Sequence, residues 1–473
     1  MRNIIKKTKK VLFVIHLDTM FKVLEPNIKK LQEFPNFTPL VFFASKYENY
    51  DRDIEICEFE RYEVIHSYGE PLQKFTPPGN QKISNVRVSI RKIIKIFPFP
   101  MLWRIRTLLL TIIGLHKKLI EIIFLIRSHE IDILILAGDI VHYDTSVFIK
   151  AAHSCNICTV IIPGWVSGPH EHWDVFKYNP EHQGSKFSNR VYSFFFPKWI
   201  YEEQGIRLVR LPAELALPRE LLRLAPPKPW VVHSGYWDLM LVESEYARDY
   251  CIRDGFNPEK IIVTGSAAQD KMAEILDKFL DNKVELSTEL KINADLPIIL
   301  VGLNEIDFNM HGDMLDLLFR NNLEYTEFLI KTLVSIPRHS ILISLHPSMV
   351  YEKHKYIEKW GAKIVHKKTF ESMPLCDIYI ANISSTINWA IACGKPVIIY
   401  DVMCSRSTDW DMAKGVFRIE SKAEFNQILT KLTKDQKFFM DACTNQAESA
   451  HYFGVLDGKA GERMMNVLNN LTS

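Results

Sequence analysis

Short unbroken runs of β-branched and aliphatic residues alternate with helix-patterned segments along this chain, and they do so in two series. The first series contains VLFVIHL (11–17), PLVFFAS (39–45), IDILILAGD (131–139) and ICTVIIPG (157–164), with helical patterns at 21–34 and after Asp139. The second contains LPIILVGLNE (296–305), SILISLHP (340–347), AKIVH (362–366), CDIYIANISS (376–385) and KPVIIYD (395–401), with a helix at 325–335. Strands this continuously apolar are buried on both faces, which in alternation with helices means a parallel sheet covered on each side. The expectation is an α/β chain with two doubly wound domains, 1–290 and 291–473, with a linker near 286–295 inside a polar stretch at 281–295. The last helix has the option of crossing back to the first domain.

The bulk numbers allow this. A chain of 473 residues accommodates roughly two to four domains. Hydrophobic content of 47% and charged content of 24% fit an ordinary globular protein, and a net charge of +2 gives no reason to expect nucleic acid. The start, MRNIIKKTKKVLFVIHLD, breaks at His16 and Asp18 and has no small-residue cleavage site, so it reads as a first strand and the chain as cytoplasmic. Eight scattered cysteines, with a lone CxxC at Cys155 and Cys158, read as reduced thiols rather than zinc ligands. The region 180–230 is rich in aromatics and prolines and reads as irregular, an insertion on the first domain.

Ligands in open α/β sheets sit at the carboxyl ends of the strands, so the polar residues that end strands come first. In the second series these are Asn304 and Glu305, His346, and Ser384 with Ser385. The SST segment leads into TINWAIACG, which reads as a helix closed by Gly394. Serines there serve as caps or as donors to a phosphate at the helix start. With His346 on what reads as the neighbouring strand end, the phosphate role is the expectation. Pro347 fixes the chain as it leaves the strand.

Three motifs in order, IIVTGSAAQDKM (261–272), SLHPSM (344–349) and CDIYIANISSTINWAIACGKPVIIYD (376–401), resemble the GT-B superfamily. The likeness is to the branch that holds UDP-N-acetylglucosamine 2-epimerases, CDP-glycerol-type polymerases and bacterial surface-polysaccharide glycosyltransferases. The segment 131–165 is similar to that branch's first domain, and the resemblance covers about two thirds of the chain. It implies two Rossmann-like domains facing a central cleft, with a nucleotide-sugar donor held mainly by the second. That donor is a substrate, and no separate cofactor or metal is implied. His346, Ser384, Ser385 and Thr386 would meet the donor phosphates, Glu305 and Gly265 would complete the donor site, and Asn388 stands where much of the branch has an acidic ribose ligand. The Gly-Gly pair and consecutive glutamates of the epimerases are missing. So is the acidic-acidic-glycine motif of bacterial sialyltransferases. Transfer of a sugar to a glycan or lipid-linked acceptor of capsule or lipopolysaccharide is thus the first reading. A CDP-glycerol-type transferase, a 2-epimerase and a non-catalytic binding protein are the alternatives.

The first domain would then hold the acceptor and a base. PGWVSGPHEHWDVF (163–176) reads as a loop carrying His170, Glu171 and His172 between tryptophans that suit sugar rings, and GDIVHYD (138–144) offers Asp139, His142 and Asp144. His170 and His172 lack a third ligand at metal-site spacing. From Lys82 to Arg127 the chain is basic and apolar, with Glu121 its only carboxylate. Two readings stay open: solvated helix faces, or a peripheral contact with an anionic membrane.

Overall fold

The computed structural model describes residues 8–65, 100–306, 318–402 and 408–471. They fall into two compact units: one gathers residues within 1–241, 250–262 and 467–473, the other 242–249 and 263–466.

The first unit is built on a seven-stranded sheet: β1 (Lys9–Ile15), β2 (Phe37–Phe43), β3 (Glu63–Ile65), β4 (Ile133–Leu136), β5 (Cys158–Ile161), and then β8 (Leu239–Val242) and β9 (Ile261–Val263). The order across the sheet is β3-β2-β1-β4-β5-β8-β9, and the strand pairs from β3 through to β8 run parallel. Between β5 and β8 the chain forms a small antiparallel hairpin, β6 (Ile200–Glu203) with β7 (Ile206–Val209). The second unit carries a six-stranded sheet, in order β12 (Lys363–Val365), β11 (Ser340–Leu345), β10 (Ile298–Leu303), β13 (Ile378–Ala381), β14 (Val397–Tyr400) and β15 (Val416–Ile419), also parallel throughout.

The central strands are buried along their length. Val11–Ile15, Ile133–Leu136, Ile378–Ala381 and Val397–Tyr400 have almost no exposed surface. Each such aliphatic side chain contributes roughly 1.5–3 kcal/mol relative to staying in water. In the second unit Tyr400 stacks on Phe425, with ring centroids 4.8 Å apart at 14°.

The region 180–230, expected to be irregular, is ordered. It holds helices Phe187–Phe195 and Ala213–Leu221 and the β6–β7 hairpin, around a core of Tyr192, Trp199, Val209, Leu211 and Ala216. Its prolines hid this, because Pro212 and Pro218 sit at the cap and in the last turn of one helix, where a missing N–H is tolerated or where the helix is ending. Residues 281–290 of the polar stretch lie in the helix Phe279–Leu290, and residues 467–471 group with the first unit. Of the basic apolar stretch, 82–99 lies outside the described residues; the remainder lies in one long helix, Pro100–Ser128. Among the described residues no helix is long and apolar enough to cross a membrane.

The helix Thr386–Ala392 ends as its sequence indicates. Gly394 has φ +68°, its N–H donates to Ile391 O, and Lys395 N–H donates to Ala390 O, the two bonds of a Schellman closure. A β-carbon at Gly394 would meet nothing closer than 4.0 Å, so the requirement for glycine is a backbone one. Gly394→Ala is expected to lower unfolding stability by about 1–2 kcal/mol in denaturant titration, with an unchanged m-value.

Candidate active site

At the carboxyl edge of the first sheet, Gly138 and Asp139 follow β4 directly. The Asp139 N–H donates to His233 Nδ1 at 3.1 Å, and the His233 N–H returns a bond to the Asp139 carbonyl at 2.9 Å. His233 also donates from Nε2 to the Trp165 carbonyl at 2.8 Å, which fixes its tautomer. It holds φ +66°, a strained position for a residue with a side chain. The Asp139 carboxylate accepts from Thr145 Oγ1 at 2.7 Å. A β-carbon at Gly235 would lie 1.6 Å from Asp139 Oδ2, and one at Gly138 would lie 2.6 Å from His233 Cε1. Both glycines are therefore required by close approach. Burial pushes the Asp139 carboxyl up to about 6, against the opposing pull of Thr145 and Arg219.

Around it stand His142 and Asp144, both expected, together with Arg210, Arg219, Lys118 and His16, which the sequence did not single out as site residues. Arg210, buried, donates from Nη1 to His142 Nε2 at 2.7 Å, and its guanidinium lies over the Phe176 ring. Arg210 Nε has no hydrogen-bond partner. Asp144 accepts from Lys118 at 2.9 Å and from Arg219 at 3.4 Å, and these cations hold its carboxyl below the usual range despite burial. His16 follows β1, is buried between the rings of Tyr143 and Phe148, and has neither ring nitrogen partnered. Burial, then Lys118, lowers His16 to about 3. Buried polar atoms without partners are uncommon, and two side chains of one cluster show them. His16 was detectable by the criterion that singled out His346, a histidine ending an apolar run. Arg210 and His233 come from far along the chain and carried no local pattern.

The segment 163–176 is not a loop throughout: Pro169–Phe176 is a helix. Its residues point different ways. His172 faces the cluster and is lowered to about 3 by burial, then by Arg210 and His233. His170 is exposed and bonded through Nδ1 to Glu203 at 2.8 Å, and Glu171 is exposed beside it. Trp173, expected as a sugar platform, is fully buried and donates to the Ile206 carbonyl, so it belongs to the core. Among the described residues no group of three His, Cys, Asp or Glu side chains could hold a metal ion.

In the second unit, Glu305, His346 and the Ser384–Thr386 turn follow β10, β11 and β13 and share the carboxyl edge of that sheet. The strand bearing His346 is not adjacent to β13: β10 lies between, separating the two by about 9–10 Å at backbone level. His346 is exposed, and its Nδ1 accepts from the Ser348 N–H and pairs with Ser348 Oγ at 2.7 Å, which puts the ring proton on Nε2. Glu305 is exposed, 3.6 Å from His354 Nε2. Ser385 caps the helix start without a side-chain bond. Ser384 Oγ pairs with Thr386 Oγ1 at 2.8 Å, and Thr386 is in turn held by Tyr379 OH at 2.6 Å. The Tyr379 hydroxyl passes over Gly302, where a β-carbon would lie 2.1 Å away.

Asn388 is buried. Its Oδ1 accepts from Trp410 Nε1 at 2.8 Å and its amide bonds the Glu243 carboxylate, which also accepts from Trp389 Nε1 at 3.1 Å and from Ser266. Both ends of the amide are thus engaged within this unit. Burial raises the Glu243 carboxyl against those three donors. Gly265, at φ +78°, turns the chain into the helix Ala267–Asp277; a β-carbon there would lie 2.8 Å from that of Ala460.

No protein-family model matches the chain, and no curated protein does. Solved structures do. UDP-GlcNAc 2-epimerase from Neisseria meningitidis, bound to UDP-GlcNAc, is 14% identical with a TM-score of 0.52, over 98% of this chain and 100% of that one. MnaA from S. aureus, in a structure with UDP, is 13% identical with a TM-score of 0.50, over 98% of each. CalG4, the calicheamicin glycosyltransferase, is 10% identical with a TM-score of 0.53, over 100% of this chain and 98% of that one. Identities this low speak to architecture alone, and together with the two parallel sheets they show that the chain has the GT-B fold, with two Rossmann-like units.

Proposed function

We propose that the protein is a glycosyltransferase that moves a sugar from a nucleotide-sugar donor to a hydroxyl of a glycan or glycolipid, of the kind built into bacterial surface polysaccharide. The observation that carries this reading is Asp139: a buried carboxyl at a strand's carboxyl end, raised to about 6 and thus matched to proton transfer near neutral pH. Of the base candidates it is the one whose basicity suits the task. His172 is too weakly basic at about 3, while His170 and Glu171 lie on an exposed helix face. In the reaction, Asp139 takes the proton of the acceptor hydroxyl as its oxygen attacks the anomeric carbon. The bond from that carbon to the phosphate oxygen breaks, and its electron pair stays on the nucleotide. His346, through Nε2–H, and the hydroxyls of Ser384 and Thr386 hold the donor phosphates. The nucleotide-sugar donor is supported by the UDP-GlcNAc and UDP carried by two proteins of the same fold. Transfer is favoured over epimerisation because the consecutive glutamates of the epimerases are missing from 376–401, where Asn388 and Trp389 instead bond the Glu243 carboxylate.

Thermal-shift measurements with UDP-, CMP-, GDP- and CDP-linked donors should show stabilisation by one nucleotide class, about 2.7 kcal/mol at a hundredfold excess over Kd. His346→Ala should weaken that binding roughly 10- to 100-fold while leaving the unliganded melting temperature in place. A panel in which no donor shifts the melting transition, or a shift that survives the substitution, refutes the donor site.

Asp139→Asn should lower transfer by about 100- to 10,000-fold with donor binding unchanged. The parent rate should rise with pH through about 6, because the base works only when ionised. The same shift acts on stability in the opposite sense. A carboxyl raised from 3.8 to about 6 in the folded state favours folding at low pH, and that contribution disappears as pH rises through the window between those values. Asp139→Asn should therefore melt no lower than the parent at pH 8, and higher if burial dominates. Full transfer by the variant would exclude Asp139 as the base. Conversion of UDP-N-acetylglucosamine to its 2-epimer without any acceptor would favour the epimerase reading.

A further inference from the structure

The helix Phe187–Phe195 is amphipathic in the reverse of the usual sense. Its inner face is polar: Asn189, Tyr192 and Ser193 are buried. Asn189 Nδ2 donates to the Glu181 and Gln183 carbonyls and its Oδ1 accepts from Ala213 N–H, while Tyr192 OH donates to the Leu211 carbonyl at 2.7 Å. Its outer face is apolar. Phe187 is 74% exposed, Phe194 81% and Phe195 69%, with Val191 exposed between them at helical spacing. The helix is thus docked by directed hydrogen bonds in a way that holds bulky rings in solvent. Scattered exposed hydrophobics need no explanation, but a row of this kind does.

The surrounding charge indicates the occupant. From Lys186 to Lys198 the chain reads KFSNRVYSFFFPK, three cations and no carboxylate. Lys186 pairs with Glu181 and Lys198 with Glu220, but Arg190 is exposed on the helix itself. Arg104, from the helix Pro100–Ser128, hydrogen-bonds the neutral Ser188 hydroxyl. That bond sets the start of the long helix beside the aromatic one. The long helix adds Arg106 and a row of exposed Ile105, Leu109 and Ile113, and has no carboxylate before Glu121. Rings and aliphatics flanked by arginines, of which Arg104 also acts on the Glu181 carboxylate, match the acyl–headgroup boundary of an anionic bilayer, where apolar groups insert and guanidinium groups meet phosphates. No described helix is apolar enough to span, so the contact is a peripheral one.

We propose that the outer face of helix Phe187–Phe195, with the adjoining start of helix Pro100–Ser128, is a docking surface for an anionic membrane, inserted through Phe187, Phe194 and Phe195 and held by Arg104, Arg106 and Arg190. This stands independently of the transfer reaction.

The test uses the full chain with vesicles of phosphatidylcholine and phosphatidylglycerol, 1:1, against phosphatidylcholine alone. The parent should float with the anionic vesicles at low salt, less at high salt, and weakly with the neutral ones. The double change Phe194→Ser/Phe195→Ser should reduce partitioning at least tenfold, and Phe187→Ser should reduce it by a smaller factor. Arg190→Glu should reduce binding to the anionic vesicles only. All these positions are exposed, so each variant should keep the parent's melting temperature and donor-induced shift. A parent that does not float, or a double variant that floats like the parent, overturns the proposal. So does a parent that is a dimer by light scattering, becomes a monomer on the double substitution and never binds vesicles; the face would then belong to a second copy of the chain.

Discussion

In a parallel sheet every strand ends at the same edge, and that constraint organises both units of this protein. Continuous burial on two faces forces the strands to be apolar along their length, so polar groups can enter only where strands stop. His16 after β1 and Asp139 after β4 arise in this way in one sheet, and Glu305, His346 and Ser384 in the other. Each sheet delivers side chains distant in sequence to one line, with spacings set by the hydrogen-bonding distance between strands. The remaining geometry is adjustment at that line. The contact of Tyr379 with Thr386 across Gly302 fixes a turn, and the reciprocal backbone bonds of Asp139 and His233 fix a carboxylate.

The electrostatics of the first cluster follow from its burial. Burial is the largest influence on His16, His142, His172 and His233, and it leaves each imidazole neutral at working pH, with cations such as Lys118 and Arg210 adding to the effect on the first three. An imidazole held neutral in the fold takes up its proton on unfolding once pH falls below about 6.5. These groups therefore favour the folded state at neutral pH and cease to do so in acid, opposite in sign to Asp139. The charges that persist are Lys118, Arg210 and Arg219 against Asp144 and Asp139. Such an arrangement has its charges and dipoles fixed by the fold, a property associated with preorganised catalytic sites.

How legible this was depended on whether a feature was local. The buried strands announced themselves as β-branched runs, and Gly394 as a helix stop. The strands β3, β8 and β15 did not: EVI and VFRI each carry a charge, and LMLV has a single β-branched residue, so none stands out as the equally short β4, β5, β13 and β14 do. Within the first cluster, Asp139 and His172 could be named from strand ends, but Arg210 and His233 reach the same place from the insertion and from a left-handed bend that no pattern encodes. Trp173 misled because burial cannot be read from residue type: the side chain that would suit a sugar face closes a small core instead. Asn388 stood at a position suited to ribose contact, yet its partners Trp410 and Glu243 come from 22 residues later and from the end of β8.

The contact between Gly235 and Asp139 has a consequence for descent. With 1.6 Å between a prospective β-carbon and Oδ2, any side chain at 235 must displace the carboxylate, and no rotamer of an alanine avoids this. Gly138 stands in the same relation to His233. The four positions are locked as two crossed pairs: a lineage that keeps the carboxylate must keep Gly235, one that keeps the imidazole must keep Gly138, and the reciprocal backbone bonds of residues 139 and 233 tie the pairs together. Related chains too divergent to align overall would then still be recognisable by a glycine-aspartate pair ending one strand and a histidine-x-glycine about a hundred residues on, changing in concert or not at all.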